Sequence, residues 1–209
     1  GNPDVSAESA VTSELGYRLR PLPRVFIDVT AFVSQYRHLI AYSPTGPTAL
    51  VVSPVGAYLV APLHVSNSSK ARSTGAEAVV SWEPSSVWRA SGSWSWLDVR
   101  VQDTATGAVG DGAGLAAPRH QGVVRSLWTL PRRFEADAAL YVVGRIPGRA
   151  IEGHARVDAR LGWHPVPGLE LSVTAQNLLD RRYIEFYSTL GEVPGQRRRS
   201  VYGKATWRF

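Results

Sequence analysis

Apolar and polar residues alternate along most of this chain. Ala155, Val157, Ala159, Leu161 and Trp163 fall on one side of an extended segment, with Arg156, Asp158, Arg160 and Gly162 on the other. The same period of two runs through Leu169 to Gln176 and through Val25, Ile27, Val29, Ala31 and Val33. It recurs in Trp88, Ala90, Gly92, Trp94 and Trp96, and in the ending Val201, Gly203, Ala205, Trp207 and Phe209. Such a repeat marks strands with two chemically different faces, the habit of antiparallel sheets. It predicts nine main strands, at about 9–20, 24–38, 64–83, 87–101, 119–130, 134–146, 150–164, 168–180 and 199–209. A small hairpin is expected over the apolar residues 50–61.

The connections alternate in length. Proline-marked turns lie at Pro21-Leu22-Pro23, Pro84-Ser85-Ser86, Pro131-Arg132-Arg133 and Pro165-Val166-Pro167-Gly168. Longer stretches, 39–63, 102–118 and 181–198, lie between them, with a brief connection near Pro147. Alternation alone fits both a soluble sandwich and a barrel in lipid. Three features select the barrel. Many strands exceed the roughly 9–11 tilted residues that cross a bilayer, whereas sandwich strands average about 5–6. Short turns at one end and long loops at the other match outer-membrane barrels. Trp82, Trp88, Trp128, Phe134 and Trp163 all adjoin the proline turns, where an interfacial girdle belongs. The arginine-bearing face must then line a polar lumen, because each arginine at mid-membrane on the lipid face costs about 2–4 kcal/mol. Glu170 and Asp137 are the expected partners of Arg156, Asp158 and Arg160.

Composition narrows this further. The 209 residues are 44% hydrophobic, too apolar for disorder, and contain no cysteine, which excludes disulfides and thiolate metal sites. No methionine or secretory signal opens the chain, and nine strands would place its ends on opposite sides of a membrane, whereas single-chain bacterial barrels have even strand counts. The chain is therefore expected to be part of a longer protein. The net charge of +6, almost all of it arginine, suits an anionic ligand or lipid.

Several segments resemble the β-barrel of TonB-dependent outer-membrane receptors. Gly1-Asn2-Pro3-Asp4 with Glu14-Leu15-Gly16-Tyr17-Arg18 is similar to that family's "GNPDLKPE…ELGYR" segment. Tyr36-Arg37-His38-Leu39-Ile40 is similar to "YRDLI", and Asn67 with Ala71-Arg72-Ser73-Thr74-Gly75-Ala76-Glu77 to "N…ARTRGVELE". Asn177-Leu178-Leu179-Asp180 with Tyr183 matches "NLLDRRY", and Gly195-Gln196-Arg197 with Tyr202 through Phe209 matches "PGRSVYGKLTWRF". The resemblance implies a 22-stranded barrel around an N-terminal plug. This chain would supply the C-terminal part, residues 1–209, without the plug and the first strands. It further implies a multi-pass protein of the bacterial outer membrane that imports a scarce ligand, most readily a ferric siderophore-type chelate. Implied partners are the TonB energy-transducing complex, reached through the missing N-terminal part, outer-membrane lipid and lipopolysaccharide, and the outer-membrane assembly machinery. The last would read Phe209 and Trp207 as an assembly signal, although a final lipid-facing strand needs apolar residues there in any case.

Residues at the ends of the long loops are the candidate ligand contacts: Arg37, His38, Tyr42, His64, His120, Arg181, Arg182 and Tyr187. Arg181, Arg182, Arg197, Arg198 and Arg199 bracket the last loop and could pair with an anionic chelate or with phosphates, or form a solvated loop base. His154 and His164 read as ordinary lumen or turn residues. For Asn177 to Asp180, bonding to their own backbone at a strand end is the stronger reading, and Gly75 reads as a close-packing position with Glu77 on the inward face. No HExxH or GxSxG motif occurs, so no catalytic residue, resident metal or cofactor is expected. Alternatives are a passive porin and a small-barrel outer-membrane hydrolase. A nucleic-acid-binding β-protein is disfavoured, because its aromatics would share the arginine face.

Overall fold

The computed structural model describes residues 2–103, 109–110, 117–146, 151–179, 182–186 and 195–209. Its strands are β1 (Ser9–Leu22), β2 (Val25–Pro44), β3 (Ala49–Ser53), β4 (Gly56–Val60), β5 (Leu63–Ser85), β6 (Trp88–Asp103) and β7 (Val109–Gly110). They continue with β8 (His120–Leu130), β9 (Phe134–Val143), β10 (His154–Trp163), β11 (Leu169–Gln176), β12 (Arg182–Phe186), β13 (Gly195–Arg198) and β14 (Ser200–Trp207). One sheet runs in the order β1-β2-β5-β6-β8-β9-β10-β11-β14, antiparallel throughout, with β7 pairing off β6. These nine main strands are the nine expected from the alternation. The sheet is open, with β1 and β14 as its outer strands among the described residues. The hairpin expected near residues 50–61 is present as β3–β4, and a second, β12–β13, lies in the final long connection.

Two boundaries depart from expectation for local reasons. β2 continues to Pro44 and β5 starts at Leu63, because the ladder resumes past irregularities between Tyr36 and Leu39 and between Leu39 and Ala41. His38 sits there at φ 57, which breaks the period of two without ending the pairing. β11 stops at Gln176 because Asn177 turns into the left-handed region at φ 55.

Burial is inverted relative to a water-soluble protein. Among the described residues Ile151 is the one buried hydrophobic side chain, while Ser34, Ser73, Ser172 and Asn177 are buried polar ones. Val11, Leu15, Val124, Val173 and Val201 are all more than half exposed. Register explains the inversion. The row Leu19–Ile27–Val80–Gly92–Val124–Leu140–Val157 crosses seven strands on one face. In water such a face is unstable; in hydrocarbon it needs no cover. Among the described residues the other sheets are the two-stranded hairpins β3–β4 and β12–β13.

The same face ends in aromatics at the short-turn side. Trp82 meets Trp88 edge to face at 5.3 Å, and Phe134 stacks on its cross-strand partner Trp163 at 5.8 Å. Trp88 stands opposite Trp128, and Trp207 opposite Leu169. This is the expected girdle, placed where amphipathic rings sit at a membrane boundary. Between β8 and β9 the turn Pro131–Arg133 holds Arg132 and Arg133 at φ 59 and 63, a left-handed pair that suits the twist of a tight hairpin.

Candidate functional site

Charged and aromatic side chains gather on the opposite face of the last strands. Arg160 lies across from Asp137 of β9 and donates from Nη1 to its Oδ2 at 2.6 Å. Its Nη2 donates to Glu170 of β11, and Glu135 Oε2 stands 3.6 Å from Nη1. One guanidinium thus ties three strands, as alternation placed it. The side chain can lie along the strand because Gly162 follows it: a Cβ there would stand 2.8 Å from Arg160 Nη2. Three carboxylates around one cation are tolerable here because the group is only partly buried.

Further toward the long-loop end lies a second group. Arg156 stands opposite Tyr141 in register, with its Cζ 4.4 Å from the ring centroid. Arg156 Nη2 also donates to Asp158 Oδ2 at 2.8 Å. The other carboxylate oxygen of Asp158 accepts the backbone N–H of Asn177 at 3.0 Å. That bond, with Leu178 N–H to the Val157 carbonyl at 2.9 Å, pins the turn after β11 against β10. Arg199 closes the turn from the other side, donating to the carbonyls of Asn177 and Leu178. The chain then returns through β12, where Tyr183 stacks on His154 with ring centroids 4.0 Å apart. Asn177 therefore ends its strand as expected, but its partner is Asp158, not its own backbone.

The chemistry of the second group is specific. It offers a cation held over one ring and a second pair of stacked rings on the same face, and a cation over a ring is worth about 0.5–2 kcal/mol. Among the described residues, His154 Nδ1, Arg156 Nε and both side-chain polar atoms of the fully buried Asn177 have no hydrogen-bond partner. Buried polar atoms normally have partners, so these mark an incompletely satisfied spot in the wall. The arrangement suits a flat, anionic, aromatic molecule, with Arg156 for charge and Tyr141, Tyr183 and His154 for stacking. Among the described residues no group of three or more His, Asp and Glu side chains gathers as a metal-ligand set.

The loop-end candidates do not converge on this wall. Arg37 and His120 lie on the apolar face: Arg37 pairs with Ser9, and His120 pairs with Trp96 and stacks on Trp94 at 5.8 Å. His38 is exposed, and its carbonyl accepts from Asn67 Nδ2 at 2.5 Å. Tyr42 and His64 are exposed on the extended ends of β2 and β5. Arg182 faces Arg198 across the β12–β13 hairpin. Arg181 and Tyr187, like Asp180, fall outside the described residues. Trp207 lies on the apolar face, and Phe209 is fully exposed at the end of the chain. Sequence reasoning put Arg156 on the inward face but missed its grouping with Tyr141, His154 and Tyr183. The available signal was the shared parity of His154 and Arg156.

Comparison with known proteins agrees with this geometry. The β-barrel of TonB dependent receptor-like proteins matches residues 1–178. The ferric-catecholate import receptor Fiu of E. coli K12 is similar in fold, with a TM-score of 0.71 at 20% identity over 100% of this chain and 29% of that one. The ferric yersiniabactin uptake receptor FyuA of Yersinia pestis gives 0.68 at 19% identity over 97% and 30%. The copper transporter OprC gives 0.69 at 15% identity over 99% and 32%. The chain thus spans about a third or less of the length of these structures. None of the curated proteins matches it in sequence. With one face built for hydrocarbon, a polar opposite face and a family match over most of its length, the chain belongs to the TonB dependent receptor-like β-barrels of the bacterial outer membrane.

Proposed function

We propose that this chain is the C-terminal part of the barrel of an outer-membrane receptor that imports a ferric siderophore-type chelate. In the complete protein, strands ahead of β1 close the sheet onto β14 around a plug, giving 22 strands. The TonB complex supplies energy through the N-terminal part, and no bond in the cargo is made or broken. Phe209 and Trp207 serve as a signal for the assembly machinery. The observation behind the ligand class is the Arg156–Tyr141 contact with the neighbouring His154–Tyr183 stack. Siderophore chelates are commonly anionic and many bear aromatic rings, which these groups complement in charge and shape. Fold alone does not choose the cargo, since the similar structures include a copper transporter.

The test is uptake by the complete gene product in an outer membrane stripped of its other receptors. Labelled ferric chelates, with and without aromatic groups, and copper would be offered, with and without a proton uncoupler. Energy-dependent uptake of an aromatic ferric chelate is expected. Uptake indifferent to the uncoupler would mark a passive pore, and uptake of copper alone would replace the cargo.

A further inference from the structure

Residues 39–63 contain no Asp, Glu, Lys or Arg. They form the outward arm of the β2–β5 ladder, whose last pair is Pro44 with Leu63, and the β3–β4 hairpin beyond it. Thr45 N–H donates to the Pro62 carbonyl at 3.1 Å and carries the arm toward the hairpin. Leu63 lies nineteen residues from the girdle residue Trp82 on β5. At about 3.3 Å per residue and a tilt of about 40°, that is a rise of roughly 45 Å, well past an apolar band of about 25 Å. The hairpin therefore stands in water above the bilayer, out of reach of lipid tails.

Its side chains do not suit that position. Leu50 pairs with Leu59 and Val52 with Ala57 on one side, Ala49 with Val60 and Val51 with Tyr58 on the other. Both sides are apolar. Val52 and Leu59 are 77% and 70% exposed, and Val55 at the tip is 95% exposed. β3 and β4 pair only with each other among the described residues, and a lone two-stranded hairpin is marginal in water. An apolar patch of this kind marks a surface that another element covers.

The stretch that enters β1 shows which element is near. Ser6 N–H donates to Asn67 Oδ1 at 2.7 Å, and Asn67 Nδ2 donates back to the Ser6 carbonyl at 3.0 Å. The Asn67 amide thus takes the place of a strand neighbour. Glu8 Oε1 accepts the Ile40 N–H at 2.7 Å. Ahead of them, a turn is closed by Val5 N–H to the Asn2 carbonyl, and Asn2 Nδ2 donates to the Val65 carbonyl at 2.7 Å. Val65 is the ladder partner of Tyr42. Asn2 is therefore tied to the arm two pairs below Pro44–Leu63, beside the exposed side chains of Tyr42 and Leu63. About eight extended residues would reach from there to the Leu50–Leu59 pair.

We propose that the external connection leading into β1 in the complete protein, the residues ahead of Asn2, lies over the Leu50–Val52–Leu59 side of the hairpin and covers it with apolar side chains. The arm then becomes a fixed wall of the outer mouth. This rests on reading the chain as the C-terminal part of a longer barrel, and not on which cargo passes. This chain covers 29% of Fiu and 32% of OprC, and on that reading the remaining strands join through this stretch.

The test places a photoreactive benzoylphenylalanine at Leu59, and separately at Leu50, in the complete protein in outer membranes. After irradiation, adducts are mapped by peptide mass spectrometry. The dominant adduct is expected within about fifteen residues ahead of Asn2, the span of a long loop. The same probe at Leu140, on the hydrocarbon face, should give none there. Adducts to lipopolysaccharide, to a second copy, to another loop or to another protein overturn the proposal, as does no adduct from either position. A second readout is cleavage by added protease. Leu50→Asp combined with Leu59→Asp should speed cutting of the connection at least tenfold, whereas Thr48→Asp at the foot of the hairpin should leave it unchanged. An unchanged rate in the double variant overturns the proposal. A complete gene with no strands ahead of Gly1 would remove the C-terminal-part reading and this inference with it. A connection that is present but crosslinks elsewhere removes this inference alone.

Discussion

Phe32 and Gly75 face each other across β2 and β5, and the phenyl ring lies over the glycine so closely that a Cβ on Gly75 would collide with Phe32 Cζ. The backbone carbonyl of Trp96 approaches the same point at 2.9 Å. The ring fills a hole that only a glycine leaves, which locks β2, β5 and β6 together on the inner face. Gly75→Ala should then destabilise the complete barrel by about 1–3 kcal/mol, the cost of overpacking. The ring can swing away but the carbonyl cannot, so combining it with Phe32→Ala should relieve only part of the cost. Urea unfolding of the four members of this mutant cycle checks it, and full additivity would show that ring and glycine do not share one space.

Face assignment makes a sharper prediction. Leu140 pairs with Val124 and Val157 on the apolar face, six residues from the girdle residue Phe134. Six residues rise about 15 Å at 3.3 Å each and a tilt near 40°, close to mid-membrane. Leu140→Arg should cost about 2–4 kcal/mol in refolding of the complete protein into bilayers. Ala139→Arg, one residue away, points to the other face opposite Asp158 and should cost less than about 1 kcal/mol. Equal costs would mean that the two faces see the same medium.

Much of this was readable before any coordinates. The parity of residues 155–163 alone separates the lipid face from the polar face, because a strand admits two sides and arginine tolerates only one of them in hydrocarbon. Partners of Arg160 were also readable, since Asp137 and Glu170 carry the right parity on adjacent strands. Positions along neighbouring strands were not. Tyr141 meets Arg156 only because the β9–β10 ladder pairs Val143 with His154, an offset that alternation within one strand does not carry. A one-residue slip would send Tyr141 to the lipid side. His38 hides the upper third of β2 for a similar reason: its left-handed backbone breaks the period while the ladder continues. Nearness to loops, which singles out Arg37 and His120, is blind to which face a side chain takes.

The Arg160 centre should respond to charge and not to bulk. Removing the guanidinium leaves Glu135, Asp137 and Glu170 facing one another without their shared cation. Because every group keeps some solvent contact, Arg160→Gln should cost about 1–2 kcal/mol, below the figure for a fully buried pair. Adding Asp137→Asn and Glu170→Gln should recover at least half of that loss. A triple variant no more stable than Arg160→Gln alone would show that the arginine acts through packing against Gly162.

The cation over Tyr141 offers the closest test of the ligand reading. If Arg156 supplies charge to an anionic aromatic chelate, Arg156→Gln should weaken binding about tenfold, the loss of one charge-assisted contact of about 1.4 kcal/mol. Tyr141→Phe keeps the ring and should leave affinity within about twofold, whereas Tyr141→Ala removes the support beneath the guanidinium and should approach the Arg156→Gln value. The effect should be selective: a neutral chelate of similar size ought to lose less than threefold in every variant. Asp158 gives the internal control. It holds both Arg156 and the turn at Asn177, so Asp158→Asn should loosen the turn and lower affinity for charged and neutral chelates alike. Equal sensitivity of both chelates to Arg156→Gln would reduce the residue to a structural tie within the wall and would move the search for the cargo site to the loops.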